Sequence, residues 1–205
     1  FLAMMYVLIH EAHIYDAEFL KKVTNAPYLV GPDRHLVRDP ATGKPLVWDA
    51  VDGQAKPYDN TTIKDFALEG TYEVEGGAAR PAFDLFKEHV RQYTPEWAAG
   101  ITTIPTERIR RITRELGEAA RIGSTIVIGG KEYPYRPACV VGYRGLNNHT
   151  NSWTSVMAQE TINLLLGTTR VPGGLQGMNV PQQGLGWPQP TPLPAGPDGM
   201  VLPQV

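Results

Sequence analysis

The chain has 205 residues, of which 42% are hydrophobic and 20% charged, with a formal net charge of −2. This apolar content suffices for a core and excludes a disordered, collagen-like or coiled-coil chain. Net acidity argues against a nucleic-acid partner, because such binding needs a basic surface. The apolar runs are too short for a membrane-spanning helix of roughly 20 residues. A single cysteine, Cys139, excludes an internal disulfide and a four-cysteine iron–sulfur site.

The first part of the chain predicts two helices followed by an irregular stretch. Residues 2–13 are apolar on nearly every face, which is typical of a buried helix. Asp16 is a suitable N-cap for a second, short helix. Over residues 31–79 the helical periodicity fades and turn pairs recur, which indicates an insertion on the domain surface. Residues 36–39 and 45–49 are predicted to pair as a hairpin within it.

From about residue 80 onward, regular elements return. Residues 82–93 predict a helix, Thr94 caps a second one, and Pro105 opens a third. Residues 124–128 and the apolar run 137–143 are predicted as strands. Helices that alternate with apolar strands predict an α/β fold, with helices packed on a largely parallel sheet.

The two ends of the sequence lead us to expect incomplete domains of a larger protein. The chain starts inside an apolar helical pattern, and its last 35 residues contain 8 of the 18 prolines and 7 of the 21 glycines. Such a stretch supplies few apolar contacts to offset the entropy of ordering. Residues 181–205 are therefore predicted as an extended Pro/Gly-rich segment.

The loop between the predicted strand 137–143 and the next helix is the first candidate site. Ligands of open α/β sheets bind beside such loops, where free backbone N–H groups and the helix dipole attract phosphate. Gly142 and Gly145 would permit close backbone approach, and Arg144 is a forked cationic donor. Six consecutive polar side chains follow, Asn147, Asn148, His149, Thr150, Asn151 and Ser152. The alternative is an ordinary turn in which Thr150 or Ser152 caps the helix.

A glycine-rich stretch at residues 173–179 is the second candidate. Its amides, Gln176 and Asn179, flank Gly177 and could read the edge of a heterocycle. A flexible connector is the alternative.

Two weaker patterns do not predict a functional site. His10 and His13 are three residues apart, whereas a zinc helix needs a spacing of four, and Cys139 lies in an apolar run as a small hydrophobic residue would.

Two longer stretches resemble a known family. Residues 93–120, with Thr94-Pro95-Glu96 and Ile104-Pro105, and residues 142–179, with His149-Thr150-Asn151 and Val171-Pro172-Gly173-Gly174, are similar to molybdopterin oxidoreductases of the dimethyl sulfoxide reductase type. Residues 3–27 resemble an upstream pattern of the same family. The resemblance covers about residues 2–30 and 80–180, while residues 31–79 look like a variable insertion.

The resemblance implies part of a catalytic subunit that carries molybdenum or tungsten on molybdopterin guanine dinucleotide. Such enzymes move two electrons, often with an oxygen atom, between a small-molecule substrate and an iron–sulfur chain in a partner subunit. It implies that residues 1–30 form a helical segment of an α/β domain and residues 80–180 a cofactor-binding region. The residues that match cofactor-binding positions are Gly142, Arg144, Gly145, Asn148, His149, Thr150, Asn151, Gln176, Gly177 and Asn179.

The chain also departs from this family. The metal ligand and the cysteines of the family's own iron–sulfur cluster lie upstream of the matched region, and the C-terminal domain has no counterpart here. No catalytic or metal-ligating residue is therefore assigned, and we expect an internal fragment without activity of its own. A stand-alone module that binds a nucleotide or phosphate without catalysis, or a structural remnant, is the alternative. The cellular compartment stays open, since a targeting signal would also lie upstream.

Overall fold

The computed structural model describes residues 1–74, 77–142 and 144–175 of the chain, in which helices and short strands are mixed. The helices are α1 (Leu2–Tyr6), which continues as a π-helical turn (Val7–Glu11), α2 (Ala17–Val23), α3 (Ala82–Val90), α4 (Pro95–Thr102), α5 (Thr106–Ala119), α6 (Arg144–Asn147) and α7 (Ser152–Leu165). The strands are β1 (Leu29–Val30), β2 (Leu46–Asp49), β3 (Gln54–Pro57), β4 (Tyr72–Val74), β5 (Gly77–Pro81), β6 (Thr125–Ile128) and β7 (Lys131–Pro134).

The core is built around the first helix and the last one. Leu8 and Ile9 in the π-helical turn are fully buried, and so are Ile162 and Leu166 at the end of α7. The predicted apolar helix is confirmed from Leu2 to Glu11, although its second half is wound more loosely than an α-helix. Burial of large aliphatic side chains from both ends of the described chain makes the first and last helices parts of one core.

Local capping fixes where several helices begin. The Phe19 N–H donates to Asp16 Oδ1 at 3.0 Å, and the Trp97 N–H donates to Thr94 Oγ1 at 3.2 Å. Each side chain satisfies a backbone donor that the first helical turn leaves unpaired. Both predicted N-caps are confirmed, and α5 follows Pro105 as expected.

In the stretch that was predicted as an insertion, strand β2 has a full-length partner that was not expected, because it pairs along its whole length with β3. The expected hairpin between residues 36–39 and 45–49 forms only near its turn. There Arg38 bridges Pro45, and the Asp39 and Leu46 N–H groups donate to the carbonyls of Lys44 and Val37, each at 2.9 Å. The buried carboxylate of Asp49 explains the pairing of β2 with β3. It accepts hydrogen bonds from Lys56 Nζ at 2.8 Å and from the Val51 N–H at 3.1 Å, which holds the β2–β3 turn closed.

The mixed helix and strand content confirms the α/β class, but the sheet arrangement differs from the prediction. The described strands form three small sheets, β1-β5-β4, β2-β3 and β6-β7, and every strand pair is antiparallel. The expectation of a largely parallel sheet is therefore wrong for the described ranges. The reason is local, because Gly129 and Gly130 both adopt positive φ and turn β6 straight back onto β7.

The predicted strand over residues 137–143 is also wrong for its described part. Residues 137–142 run on from β7 without a strand partner, and Val141 is exposed. Side chains of α7 replace the missing neighbour, because the amide of Asn163 bonds both backbone groups of Val140. The sequence of a buried apolar run predicts a strand whether its neighbour in the structure is another strand or a side chain.

A buried ion pair ties this segment to the N-terminal part of the chain. Arg136 donates to Asp16 Oδ2 through Nη2 at 2.6 Å and through Nε at 3.1 Å, and both side chains are buried. Its third nitrogen, Nη1, donates to the carbonyl of Ser124 at 3.0 Å.

Across the part of the chain that the structure describes, no helix is long and apolar enough to cross a membrane.

Candidate functional site

The first candidate loop lies at the N-terminal end of α7. Residues 137–142 lead into α6, a single helical turn that contains Arg144 and Gly145, and a short turn then joins α6 to α7. Four neighbouring residues of this turn are exposed, Asn148, His149, Thr150 and Asn151. The structure therefore places these four members of the predicted set together at the surface.

The start of α7 lacks a side-chain cap, as do the starts of α3 and α5. Its N-cap residue is Asn151, and the Ser152 N–H donates to the carbonyl of His149 at 3.1 Å. The alternative in which Thr150 or Ser152 caps the helix is therefore not found. The other N–H groups of the first turn and the positive end of the helix dipole are left to solvent or to a ligand.

One hydrogen bond fixes the proton of the histidine in this loop. The Asn151 N–H donates to His149 Nδ1 at 3.2 Å. Because Nδ1 acts as an acceptor, the neutral imidazole carries its proton on Nε2. His149 is exposed, so it presents an N–H donor outward from the loop.

The two glycines of the loop have different roles in the structure. A Cβ atom at Gly142 would lie 1.9 Å from Gln159 Oε1 and 2.9 Å from Leu146 Cδ2, so this position has no room for a side chain. A Cβ atom at Gly145 would meet nothing within 4 Å. Internal packing against α7 thus accounts for Gly142, whereas Gly145 leaves open space beside the exposed turn.

Sequence reasoning missed the side chains that hold the segment before the loop. Gln159 and Asn163 are buried in α7, and the amide nitrogens of both donate to the carbonyl of Val140, at 3.3 and 2.9 Å. Two amides four residues apart in α7 were the available signal, since residues at that spacing share one face. Burial raises the pKa of the neighbouring Cys139 thiol, and the Glu160 carboxylate adds to it, which disfavours a nucleophilic thiolate.

The second candidate loop begins at the other end of α7. The helix has 14 residues, which corresponds to a length of roughly 21 Å between the two loops. After it the chain folds back on itself, with the Leu175 N–H donating to the Thr168 carbonyl at 2.8 Å. Gln176, Gly177 and Asn179 lie outside the described residues, as does the predicted extended segment 181–205.

The first histidine of the pair near the N-terminus packs inside the structure, whereas His13 is exposed. His10 Nε2 is 2.8 Å from the carbonyl oxygen of Lys87, to which it donates, and its ring lies beside that of Tyr6. Burial lowers the pKa of His10, which favours the neutral ring. Within the described residues, no group of three or more histidine, cysteine or acidic side chains is placed to hold a metal ion.

Comparison with known proteins identifies the class. No protein-family model matches the chain. It is 31% identical to a sulfite dehydrogenase subunit of Allochromatium vinosum, over 90% of this chain and 21% of that protein. It is 30% identical to the alpha subunit of perchlorate reductase from Dechloromonas aromatica, over 63% of this chain and 18% of that protein. A protein of Halobacterium salinarum that is named as a dimethyl sulfoxide reductase catalytic subunit is 31% identical, over 48% of this chain and 12% of that protein.

These relatives are molybdopterin-dependent oxidoreductases, and the resemblance to the dimethyl sulfoxide reductase type is thereby confirmed. The chain spans about one fifth of the length of the first two relatives. It is homologous to one part of their catalytic subunits.

Proposed function

We propose that this chain forms part of the catalytic subunit of a molybdenum- or tungsten-dependent oxidoreductase, in which it holds one side of a molybdopterin guanine dinucleotide. The observation that carries the proposal is the 31% identity to a sulfite dehydrogenase subunit over 90% of this chain. When bound, the cofactor supplies two-electron redox chemistry, often with transfer of an oxygen atom. An iron–sulfur cluster elsewhere in the same protein would pass the electrons on to a separate electron-transfer subunit.

The chemistry of the first loop fits such a ligand. Pyrophosphate and pterin carbonyl oxygens need hydrogen-bond donors, and the uncapped start of α7 provides backbone N–H groups at the positive end of a 14-residue helix. The outward Nε2–H of His149 is a further donor, and Asn148, Thr150 and Asn151 add exposed amide and hydroxyl groups. Gly145 leaves the backbone accessible. Arg144 belongs to the proposed set by its position in the sequence.

The second loop would contact the cofactor from the far end of α7. Gln176, Gly177 and Asn179 are proposed from the resemblance alone. A separation of roughly 21 Å along the helix suits two ends of one elongated ligand, or two ligands. Residues of this chain would then bind and orient the cofactor, while the metal ligand comes from another part of the subunit.

The substrate is proposed to be a small oxygen-bearing molecule. The names of the relatives refer to sulfite, perchlorate and dimethyl sulfoxide, in each of which oxygen is bonded to sulfur or chlorine. We expect a substrate of the same chemical kind.

The experiment replaces Asn148 and His149 together by alanine in the catalytic subunit that contains this chain. The matched control replaces Asn25 and His35, an equally exposed asparagine and histidine away from the loop. A hydrogen bond to a charged group contributes about 1.5–3 kcal/mol, so we expect cofactor affinity to fall roughly tenfold or more in the loop variant only. Metal content by mass spectrometry, turnover and the thermal midpoint are measured for both variants.

The outcomes separate a binding loop from a structural turn. Loss of cofactor with an unchanged thermal midpoint supports the proposal, since these exposed side chains contribute little packing. Full cofactor content and full turnover, with a thermal midpoint lowered by several degrees, would show that the loop only supports α7.

A further inference from the structure

We propose that three side chains of α7, Gln159, Glu160 and Asn163, form an amide cluster that positions the candidate cofactor loop. This inference rests on the proposed function of that loop. Its hydrogen bonds reach the segment 137–142, which leads into the exposed turn.

Asn163 takes the place of a neighbouring strand. The Val140 N–H donates to Asn163 Oδ1 at 2.8 Å, and Asn163 Nδ2 donates to the Val140 carbonyl at 2.9 Å. A carboxamide presents a donor and an acceptor as a peptide group does, so it can satisfy both backbone groups of one residue. Asn163 is fully buried, and its rotamer is therefore held by the surrounding core. The position of Val140 along α7 is fixed by this pair of bonds.

Glu160 and the Val140 carbonyl together set the orientation of both amides. Besides donating to that carbonyl, Gln159 Nε2 donates to Glu160 Oε1 at 3.0 Å, and Asn163 Nδ2 donates to Glu160 Oε2 at 3.4 Å. A carboxylate and a carbonyl are acceptors only, so both select the NH₂ side of each amide. The oxygen of each amide must then point the other way, which directs Asn163 Oδ1 to the Val140 N–H and Gln159 Oε1 toward Gly142.

Gln159 places its oxygen against the start of the loop. Its side chain is only 4% exposed, and among the described residues its Oε1 has no hydrogen-bond partner. A Cβ atom at Gly142 would lie 1.9 Å from this oxygen. A buried acceptor without a donor is costly, and such groups in native proteins call for an explanation. Here the oxygen defines how closely the chain passes α7 before it enters α6.

The cluster and Gly142 together therefore determine where the loop leaves the helix. Gly142 does not have a positive φ, so alanine is compatible with its backbone and the obstacle is the oxygen of Gln159. Leu146 Cδ2, at 2.9 Å from the same Cβ position, is the end of a flexible side chain that can rotate away. A larger residue at position 142 should push the loop off α7, and removal of the Gln159 amide should let it return.

The test uses four variants of the catalytic subunit, Gly142→Ala, Gln159→Ala, the double variant, and Gln92→Ala as control. Gln92 is an exposed glutamine whose amide donates to the His89 carbonyl, away from the loop. Two quantities are compared between the variants, the hydrogen–deuterium exchange of a peptide over residues 137–146 and the cofactor content. The thermal midpoint of each variant is measured beside them, so that a general loss of stability is recognised. We expect Gly142→Ala to speed exchange and to lower cofactor content at least about tenfold. Gln159→Ala should speed exchange by a smaller factor, because Asn163 still holds Val140, and the double variant should return to the level of Gln159→Ala.

Rescue distinguishes positioning from general destabilisation. If the double variant is as defective as the sum of its single changes, the cluster does not position the loop. Unchanged exchange over 137–146 in either single variant overturns the inference as well, so Gln159→Ala tests it even if Gly142→Ala fails to fold. Faster exchange with undiminished cofactor content would leave the positioning role intact and contradict the proposed function of the loop.

Discussion

Replacing Arg136 by methionine should destabilise the chain more than any exposed arginine substitution. The side chain is buried, and it joins Asp16 to the carbonyls of Ser124 and Tyr135, which accept from Nη1 at 3.0 and 2.9 Å. Methionine preserves much of the volume and removes every donor. It leaves the carboxylate of Asp16 buried without its partner. Three carbonyl oxygens also lose a hydrogen bond, those of Ser124, Tyr135 and, at 3.4 Å, Arg121.

The magnitude follows from this geometry. Breaking a buried ion pair by removing one partner costs about 3–5 kcal/mol, since the remaining charge stays desolvated. For a chain of this length a loss of 1 kcal/mol lowers the thermal midpoint by about 2–4 °C, so the expected decrease is roughly 6–20 °C. Asp16→Asn combined with Arg136→Met should cost less than the sum of the single changes, because the double variant has no unpaired charge.

The assay is thermal and urea unfolding of the 205-residue chain, followed by far-ultraviolet circular dichroism. The matched control is Arg111→Met, because the Arg111–Glu115 pair is exposed, with 61% and 59% of the side-chain surfaces accessible. We expect the control to change the free energy of unfolding by less than about 1 kcal/mol. An equally small effect of Arg136→Met would show that the buried Arg136–Asp16 pair contributes no more to stability than a surface ion pair.

Three further substitutions have defined outcomes. Gly167→Ala should destabilise the chain more than Gly43→Ala. Both glycines have positive φ, which costs alanine about 1–2 kcal/mol. At Gly167 the added Cβ would also lie 2.5 Å from Asp16 Oδ2, whereas at Gly43 it would meet nothing within 4 Å. A lower urea midpoint for Gly43→Ala than for Gly167→Ala would contradict this steric argument. Although burial favours a higher pKa, hydrogen bonds from Lys56 and from backbone N–H groups hold the pKa of Asp49 well below its usual range. The stabilisation by the Asp49 carboxylate is therefore present above the unfolded pKa of about 3.9 and is lost as the pH falls through the folded value. The difference in free energy of unfolding between wild type and Asp49→Asn should narrow below about pH 4. A difference that stays constant with pH in urea titrations would show that the charge of Asp49 does not stabilise the fold. Thr94→Ala should cost about 1 kcal/mol through the lost N-cap, and an unchanged urea midpoint would show that α4 does not depend on it.

Local signals in the sequence were enough to locate most helices. Asp16 and Thr94 cap the helices that they were predicted to cap, because capping depends on residues within one turn. The apolar first helix was equally evident, although its π-helical second half was not. The hairpin around residues 40–44 was predicted and forms near its turn, but the full-length pairing of β2 with β3 was not predicted. That pairing is stabilised by Asp49, whose bond to Lys56 forms only once the β2–β3 turn has closed.

The sheet and the support of the site depended on contacts that no local pattern reveals. An apolar run at 137–142 predicted a strand, but its partner is an amide 23 residues later in the chain. The polar loop at 144–151 was identified from its composition and its place before a helix. The cluster behind it was missed, because Gln159 and Asn163 become informative only when Val140 and Gly142 are seen to pack against them.

An experimental structure of the catalytic subunit with its cofactor bound would show whether this loop holds the cofactor. The measurement is the distance from the cofactor to the backbone of residues 145–151 and to His149 Nε2. We expect N–H groups of this loop within hydrogen-bond distance, about 3 Å, of phosphate or pterin oxygens. A cofactor bound elsewhere, with the loop separated from it by other parts of the protein, would show that the loop does not bind it.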